Sequence, residues 1–503
     1  MNYHVSLNED EEILLMKDYI AEDEKPPSNI KPISDFSGYG MVINAIIGTG
    51  FFAIPHTYYH SGLIFSLLMT FFCSVFSGLS AIWTLDVVAR ARGYSYSKEN
   101  GAFHTSNLNK FTYKRIEFSK FAFIFTGKWG QIACAIILCC YCFGTLWAYC
   151  SVFSSTTANL MSRYILSSSQ ECIIESDPTS QCRLVYSLCV VFFAVCVSIL
   201  QIFELSKISF VQVFFTIYRF VAFTLIVVSC IISFAFRGSP WTKDPSLPNW
   251  ASFQMAGFPT LFSSASVALN CAFNIPGILT PLKSKKNAGK AAIGAIATSA
   301  LIYGSVASII ALALGPDVLQ FVMLNWAMFG KKGFEPLARA GGSAEQGLVQ
   351  GSWWSNIIKI VVMLFPMMST LSSFPITAGT VGFSLLSSLP VSFQTKLGKA
   401  GPIIFRFGVS VIPFILAILF PVLGFIIQFS GLFAIVLISI IPPLFEIISK
   451  RKCGMEQRTP YSGWWSHDVV CVIALVYGVG TFIYSFIQFV MRAARGETGG
   501  SAH

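Results

Sequence analysis

Eleven apolar stretches of about one bilayer crossing each divide the chain. They run roughly over residues 38–60, 63–89, 130–160, 184–203, 208–235, 252–281, 291–315, 354–388, 402–420, 422–446 and 467–491. A helix needs about 20 mostly apolar residues to cross the hydrocarbon core. Inside that core the backbone must satisfy its own polar groups. The expectation is an all-α polytopic membrane protein with eleven transmembrane helices. Charged residues make up 12% of the 503, about half the ~25% usual for soluble domains. That excludes a disordered chain, a disulfide-rich secreted domain and an ordinary soluble enzyme. Only Phe420-Pro421 separates the ninth and tenth stretches, so a sharp turn is expected there.

Residues 1–35 differ from the rest. Glu9, Asp10, Glu11 and Glu12 are consecutive, and Glu22, Asp23 and Glu24 follow. No basic segment or short apolar core precedes the first stretch, so a flexible acidic cytoplasmic tail is expected rather than a cleaved signal. Basic loops set orientation. Arg90, Arg92, Lys98, Lys110, Lys114, Arg115, Lys120 and Lys128 follow the second stretch. Lys283, Lys285, Lys286 and Lys290 follow the sixth, Lys396 and Lys399 the eighth, and Lys450, Arg451, Lys452 and Arg458 the tenth. Alternate loops are poorer in Lys and Arg, except for Lys331, Lys332, Arg339, Arg492 and Arg495. The N-terminus is therefore expected in the cytoplasm and the C-terminus outside or in a lumen. Topology accounts for the net charge of +10 without nucleic-acid binding. No CxxC pairs with His at metal-ligand spacing, so no metal site is expected among the 14 Cys. Cys172 and Cys182 share the outer loop 162–183, where either a disulfide or two free thiols fit.

Two stretches are built to break. The first places Asn44, Gly48, Thr49 and Gly50 ahead of Pro55. The sixth carries Pro259, Ser263, Ser264, Ala265, Ser266, Val267, Asn270, Asn274, Pro276 and Gly277. Amide groups freed at a break can bind a carboxylate, and freed carbonyls an amine or Na⁺. Interrupted segments at matching positions of two halves point to a transport site. Small residues also let helices pack closely, which is the alternative use of these glycines and serines. The five-stretch interval makes the halves inverted repeats: residues 36–236 hold helices 1–5 and 237–447 helices 6–10. Residues 448–503 hold the eleventh helix and a short C-terminal tail.

From about Ser37 to Phe486 the sequence resembles the amino acid/auxin permease family of the amino acid–polyamine–organocation superfamily. The likeness extends to its sodium-coupled neutral amino acid transporters. The carriers of the resemblance are Asn44-Ala45-x-x-Gly48-x-Gly50 and the seventh-stretch run from Ala297 through Tyr303 to Gly315-Pro-Asp317-Val. Phe365-Pro366 through Ser369, Thr370, Phe374 and Pro375 adds to it, as do Pro421-Val-Leu-Gly424, Gly431 and Pro442-Pro443. The sixth stretch departs from the family: many members have Cys-His where Asn270-Cys271 stands.

The resemblance implies a LeuT-type 5+5 inverted repeat moving an amino acid by alternating access, coupled to Na⁺ or H⁺. The substrate carboxylate would meet amides at Gly48, Thr49 and Gly50. The ammonium would meet carbonyls near Gly48 and around Ser264, Ala265 and Ser266. Side-chain choice would fall to Ser264, Val267 and Asn270, with Asn44 at the edge of the site. A Na⁺ ion, the sole cofactor in view, would use the carbonyls of Asn44 and Ile47 and the hydroxyls of Ser369, Thr370, Ser372 and Ser373. Those hydroxyls fit equally well bonded to their own helix. Arg219 sits inside the fifth stretch, where a charge costs at least ~2.5–3.5 kcal/mol on insertion scales. It either replaces the ion, as basic fifth-helix residues do in some superfamily members, or pairs locally or snorkels. For proton coupling the acids nearest the stretches are Asp86, Glu204 and Asp317.

The expected partners are an amino acid, a coupling cation and the bilayer, with the chain acting as a monomer in a plasma membrane or an acidic organelle such as a vacuole or lysosome. A membrane nutrient sensor signalling through the acidic tail is the second reading. A channel would show a ring of like charges or a filter, and an enzyme a catalytic motif. Neither is visible. The loop 316–353, with Trp326, Phe329, Trp353 and Trp354, is either a lid or a membrane-interface anchor, and the anchor is the expectation.

Overall fold

The computed structural model describes residues 32–100, 104–113, 116, 118–166, 172, 174, 180–202, 209–238, 253–334, 352–389 and 391–494. The tail at 1–31, Glu204 and residues 335–351 lie outside the described residues.

The chain opens with α1 (Asp35–Ile46), capped by Ser34, whose Oγ accepts the Ser37 amide at 3.2 Å. After a short 3₁₀ turn (Thr49–Ala53), Pro55 opens α2 (Ile54–Ser61). There a missing N–H costs nothing. The two segments are bent by 49°. Then come α3 (Leu63–Asn100), α4 (Phe118–Tyr164), α5 (Ser180–Ile202) and α6 (Ser209–Arg237). Gly127, at φ 73°, kinks α4.

The sixth stretch is not one long helix. Pro259 starts α7 (Phe258–Leu269), Asn270 turns extended, and Pro276 opens the five-residue α8 (Ile275–Leu279). The next helix, α9 (Ala288–Leu314), ends at Gly315, whose φ of 57° suits glycine. A small antiparallel hairpin, β1 (Phe329–Gly330) with β2 (Gly333–Phe334), precedes α10 (Trp353–Ser387). The short α11 (Val391–Leu397) leads to α12 (Gly401–Leu419). The turn at Phe420-Pro421 separates α12 from α13 (Leu423–Ile435). A π-helical turn (Val436–Ile440) joins α13 to α14 (Ile441–Cys453), and α15 (Asp468–Ala494) closes the chain.

Nine helices among the described residues are long and apolar enough to cross a membrane, or ten if α1 and α2 form one bent span. The chain is thus a mostly helical polytopic membrane protein. Close crossings use small residues, as helices in lipid require. A methyl group on Gly431 would collide with Ser263 of α7, and one on Gly144 with Ser430 of α13.

The polar end of α3 is buried by partners far along the chain. Arg90 holds Glu446 bidentately at 2.6 and 3.0 Å and donates to the Gln457 carbonyl at 2.7 Å. Asp86 lies 3.7 Å from Arg90 and accepts from Thr459, from Ser462 at 3.2 Å and from Ser466 at 2.9 Å. The three charged side chains are at most 1% exposed. Trp83 adds a bond to the Trp465 carbonyl at 3.1 Å. Asp86 is therefore enclosed within the protein.

Candidate functional site

The break in the first stretch leaves the carbonyls of the last α1 turn without helical partners. Two donors from other helices take them. Arg219 Nη1, on α6, lies 3.2 Å from the Asn44 carbonyl and 3.1 Å from Asn44 Oδ1. The Tyr303 hydroxyl, on α9, donates to the Ile46 carbonyl at 2.8 Å. Phe51 stacks on the Tyr303 ring with centroids 5.6 Å apart. Arg219 is buried, and its Nε has no partner.

The three expected first-break residues differ in surroundings. Gly48 is extended, and a methyl group there would lie 3.8 Å from the Tyr149 hydroxyl, an ordinary contact. Gly50 has no such room: its methyl group would stand 2.5 Å from the Ala268 Cα. Gly50 is thus where α7 presses on the first break, a packing use of this glycine. The side chain of Thr49 lies outside the described residues.

At the second break, Ser77 of α3 donates to the freed Leu269 carbonyl at 2.6 Å. Ser264, Ala265, Ser266, Val267 and Asn270 are all buried. Neither amide atom of Asn270 has a hydrogen-bond partner. Tyr303 lies at the first break, bonded to the Ile46 carbonyl and to the Gly48 backbone.

The α10 hydroxyls divide into two groups. Thr370 donates to the Pro366 and Met367 carbonyls at 2.8 and 3.0 Å, and Ser372 to the Ser369 carbonyl at 2.9 Å. Both bond back to their own helix. Ser373 instead lies with Thr377 beside the Tyr149 hydroxyl, which also faces Arg219. Ser369 is buried. Tyr149, Tyr303, Thr377 and Ser77 were not expected at the site. Tyr303 stood within a quoted motif, whereas Tyr149 sits in a Cys-rich run that carries no polar signal.

One side of the site is covered. Phe52 lies edge-on to Phe321 and to Phe365, each at 5.6 Å. Behind it the 3₁₀ segment Val322–Met328 is buried except for its last residue, and Trp326 donates to Ser229 at 2.9 Å. Trp326 and Phe329 are fully buried, while Trp353 is exposed. The interface-anchor expectation thus fails for Trp326 and Phe329. The ring N–H of Trp326 finds its partner in α6, so the loop folds inward. Cys172 and Cys182 form a disulfide, with Cα atoms 5.4 Å apart.

A bent first segment and a short apolar helix pack against each other inside a bundle of long apolar helices. The chain belongs to the transmembrane amino acid transporter protein family, which it matches over residues 31–491. Among its relatives is the Transmembrane protein 104 homolog of Caenorhabditis elegans, 25% identical over 68% of this chain and 66% of that protein. The chain thus spans just under two thirds of the nematode relative's length. The homolog of Drosophila melanogaster is 22% identical over 88% of this chain and 96% of its own. The fold is similar to that of MhsT in complex with L-phenylalanine, with a TM-score of 0.56 at 11% identity, covering 92% of this chain and all of that one. An Eremococcus coleocola manganese transporter gives 0.52 at 12% identity, covering 94% of this chain and 100% of its own. These neighbours have the LeuT-type fold. The family is one of membrane transporters, not of enzymes.

Proposed function

We propose that this chain is a secondary active transporter of amino acids that works by alternating access. One observation carries the reading: the two interrupted stretches meet at Gly50 and Ala268, where Arg219 and Tyr303 hold the freed carbonyls of the first break. Counting α1 with α2 as one crossing, and α7 with α8 as another, brings the total to eleven. Helices 1–5 then fall in residues 36–236 and helices 6–10 in 237–447, as inverted repeats, with the eleventh helix after them. The basic-loop pattern supports a cytoplasmic N-terminus and an extracellular or lumenal C-terminus. The covered face with Phe52, Phe321 and Trp326 is then the outer one. Transport by a monomer in a plasma membrane or acidic organelle is consistent with this arrangement.

The substrate would lie along the first break, its carboxylate at the amides of Gly48, Thr49 and Gly50, and its flank on Ser264, Ala265, Ser266, Val267 and Asn270. The coupling ion on this reading is H⁺ rather than Na⁺. The Asn44 and Ile46 carbonyls already accept from Arg219 and Tyr303. Thr370 and Ser372 are engaged with their own helix. Arg219 then stands where an ion would otherwise bridge α1 to the scaffold, and brings the positive charge that a cation from solution would supply.

Uptake of labelled amino acid pools into proteoliposomes, under a Na⁺, an H⁺ or no gradient, tests this. Concentrative uptake driven by H⁺ and indifferent to Na⁺ is the expected result. Uptake that requires Na⁺ would return the ion to the Asn44, Ile47, Ser369 and Ser373 oxygens. Binding without uptake under every gradient would favour a nutrient sensor.

A further inference from the structure

Asn270 is 5% exposed, and both its Oδ1 and its Nδ2 are enclosed without a hydrogen-bond partner. Buried polar groups in folded proteins are nearly always paired, so such a group calls for a specific cause. Its neighbours are otherwise served. The Leu269 carbonyl takes Ser77, and the Asn274 amide returns to the Cys271 carbonyl at 2.9 Å. The chain also leaves helical geometry at Asn270 itself, so its side chain stands at the tip of a half-helix. At the first break, Arg219 Nε is a second buried group without a partner. Tyr303 feels the charge of Arg219 and the dipole of Cys271, the residue that follows Asn270.

From this we infer that Asn270 reads the substrate side chain, and that the preferred substrates are amino acids with an uncharged side chain that both donates and accepts hydrogen bonds. This inference rests on the transport reading. A carboxamide offers one acceptor and two donors. A carboxamide or hydroxyl on the substrate matches that set. A hydrocarbon side chain of equal size leaves Asn270 orphaned, and sites built to hydrogen-bond discriminate strongly against such analogues. A cationic side chain would meet the fixed charge of Arg219.

The test uses the full-length protein in proteoliposomes and substrate pairs of similar size: serine with alanine, threonine with valine, glutamine with methionine. Wild-type uptake should favour the polar member of each pair by roughly tenfold or more. Asn270→Leu, close in volume, should bring that ratio to about one or invert it. Equal wild-type uptake within pairs would overturn the inference. So would an Asn270→Leu protein that transports with an unchanged ratio, the result expected if an enclosed water serves Asn270. Should Asn270→Leu fail to fold, thermal protection of the wild type decides. Bound ligand raises apparent stability by mass action. Protection by the polar members alone is expected, and equal protection overturns the inference. If no amino acid is taken up at all, the transport reading falls, while the protection ratio still reports on Asn270.

Discussion

The guanidinium of Arg219 is shared between two oxygens of one residue, the main-chain carbonyl and the side-chain oxygen of Asn44, at 3.2 and 3.1 Å. It ties the half-helix before the break to α6, and on the proposed transport reading it brings the charge that a cation would otherwise supply. Removing it should therefore change ion dependence rather than only stability. Wild-type uptake should vary less than about twofold when Na⁺ is replaced by K⁺. Arg219→Ala should lose about tenfold or more of it, or gain a Na⁺ requirement, while remaining monodisperse in detergent. Full, Na⁺-indifferent uptake by Arg219→Ala would contradict the ion-replacing role.

Tyr303→Phe keeps the ring against Phe51 and deletes the donor to the Ile46 carbonyl. An unpaired buried acceptor costs about 1–3 kcal/mol. A lower thermal midpoint, with reduced uptake, is expected from a melting curve and a transport assay on the same preparation. An unchanged midpoint would mean that the carbonyl finds another donor.

The two glycines of the first break should separate packing from binding. Gly50→Ala places a methyl group 2.5 Å from the Ala268 backbone and should destabilise the protein by about 1–3 kcal/mol. Gly48→Ala meets nothing closer than 3.8 Å, so its thermal midpoint should stay near wild type. Any loss of uptake in Gly48→Ala then reports on the substrate path. The opposite order of midpoints would show that the helices do not cross as described.

Breaking the buried charge cluster should be far costlier than replacing it. Arg90→Ala leaves Glu446 without its bidentate partner, a loss of about 3–5 kcal/mol for a buried pair. The pair Arg90→Met with Glu446→Leu should recover much of the folded yield, measured as the monodisperse fraction after extraction. Equal yields from single and double variants would argue against a buried ion pair.

Denatured protein should titrate twelve thiols before reduction and fourteen after it, the difference being Cys172 and Cys182. Fourteen thiols without reduction would show the two to be free.

Much of the fold was legible because lipid imposes a length on each apolar run. The α12 stretch, read as 402–420, is Gly401–Leu419. The boundaries failed where polar residues continue a helix. The second stretch, read as ending at 89, runs on to Asn100 because Asp86 and Arg90 find partners over 350 residues away. No local pattern announces such pairing. At the site, Gly48, Gly50, Asn270 and Arg219 stood out because each is costly or weak in a lipid-embedded helix. Tyr303 and Tyr149 did not, since an aromatic residue in an apolar run reads as packing until a freed carbonyl or a guanidinium is seen beside it.

The separation between Arg90 and Glu446, 356 positions, also bears on biosynthesis. When α3 leaves the ribosome, the chain that will neutralise it has not been translated. Asp86 and Arg90 must wait through the insertion of most of the remaining helices, at a cost that favours residence near the membrane surface. A nascent chain halted before Glu446 would keep α3 shallow, where membrane quality control can find it. Maturation of α3 therefore waits on the translation of Glu446.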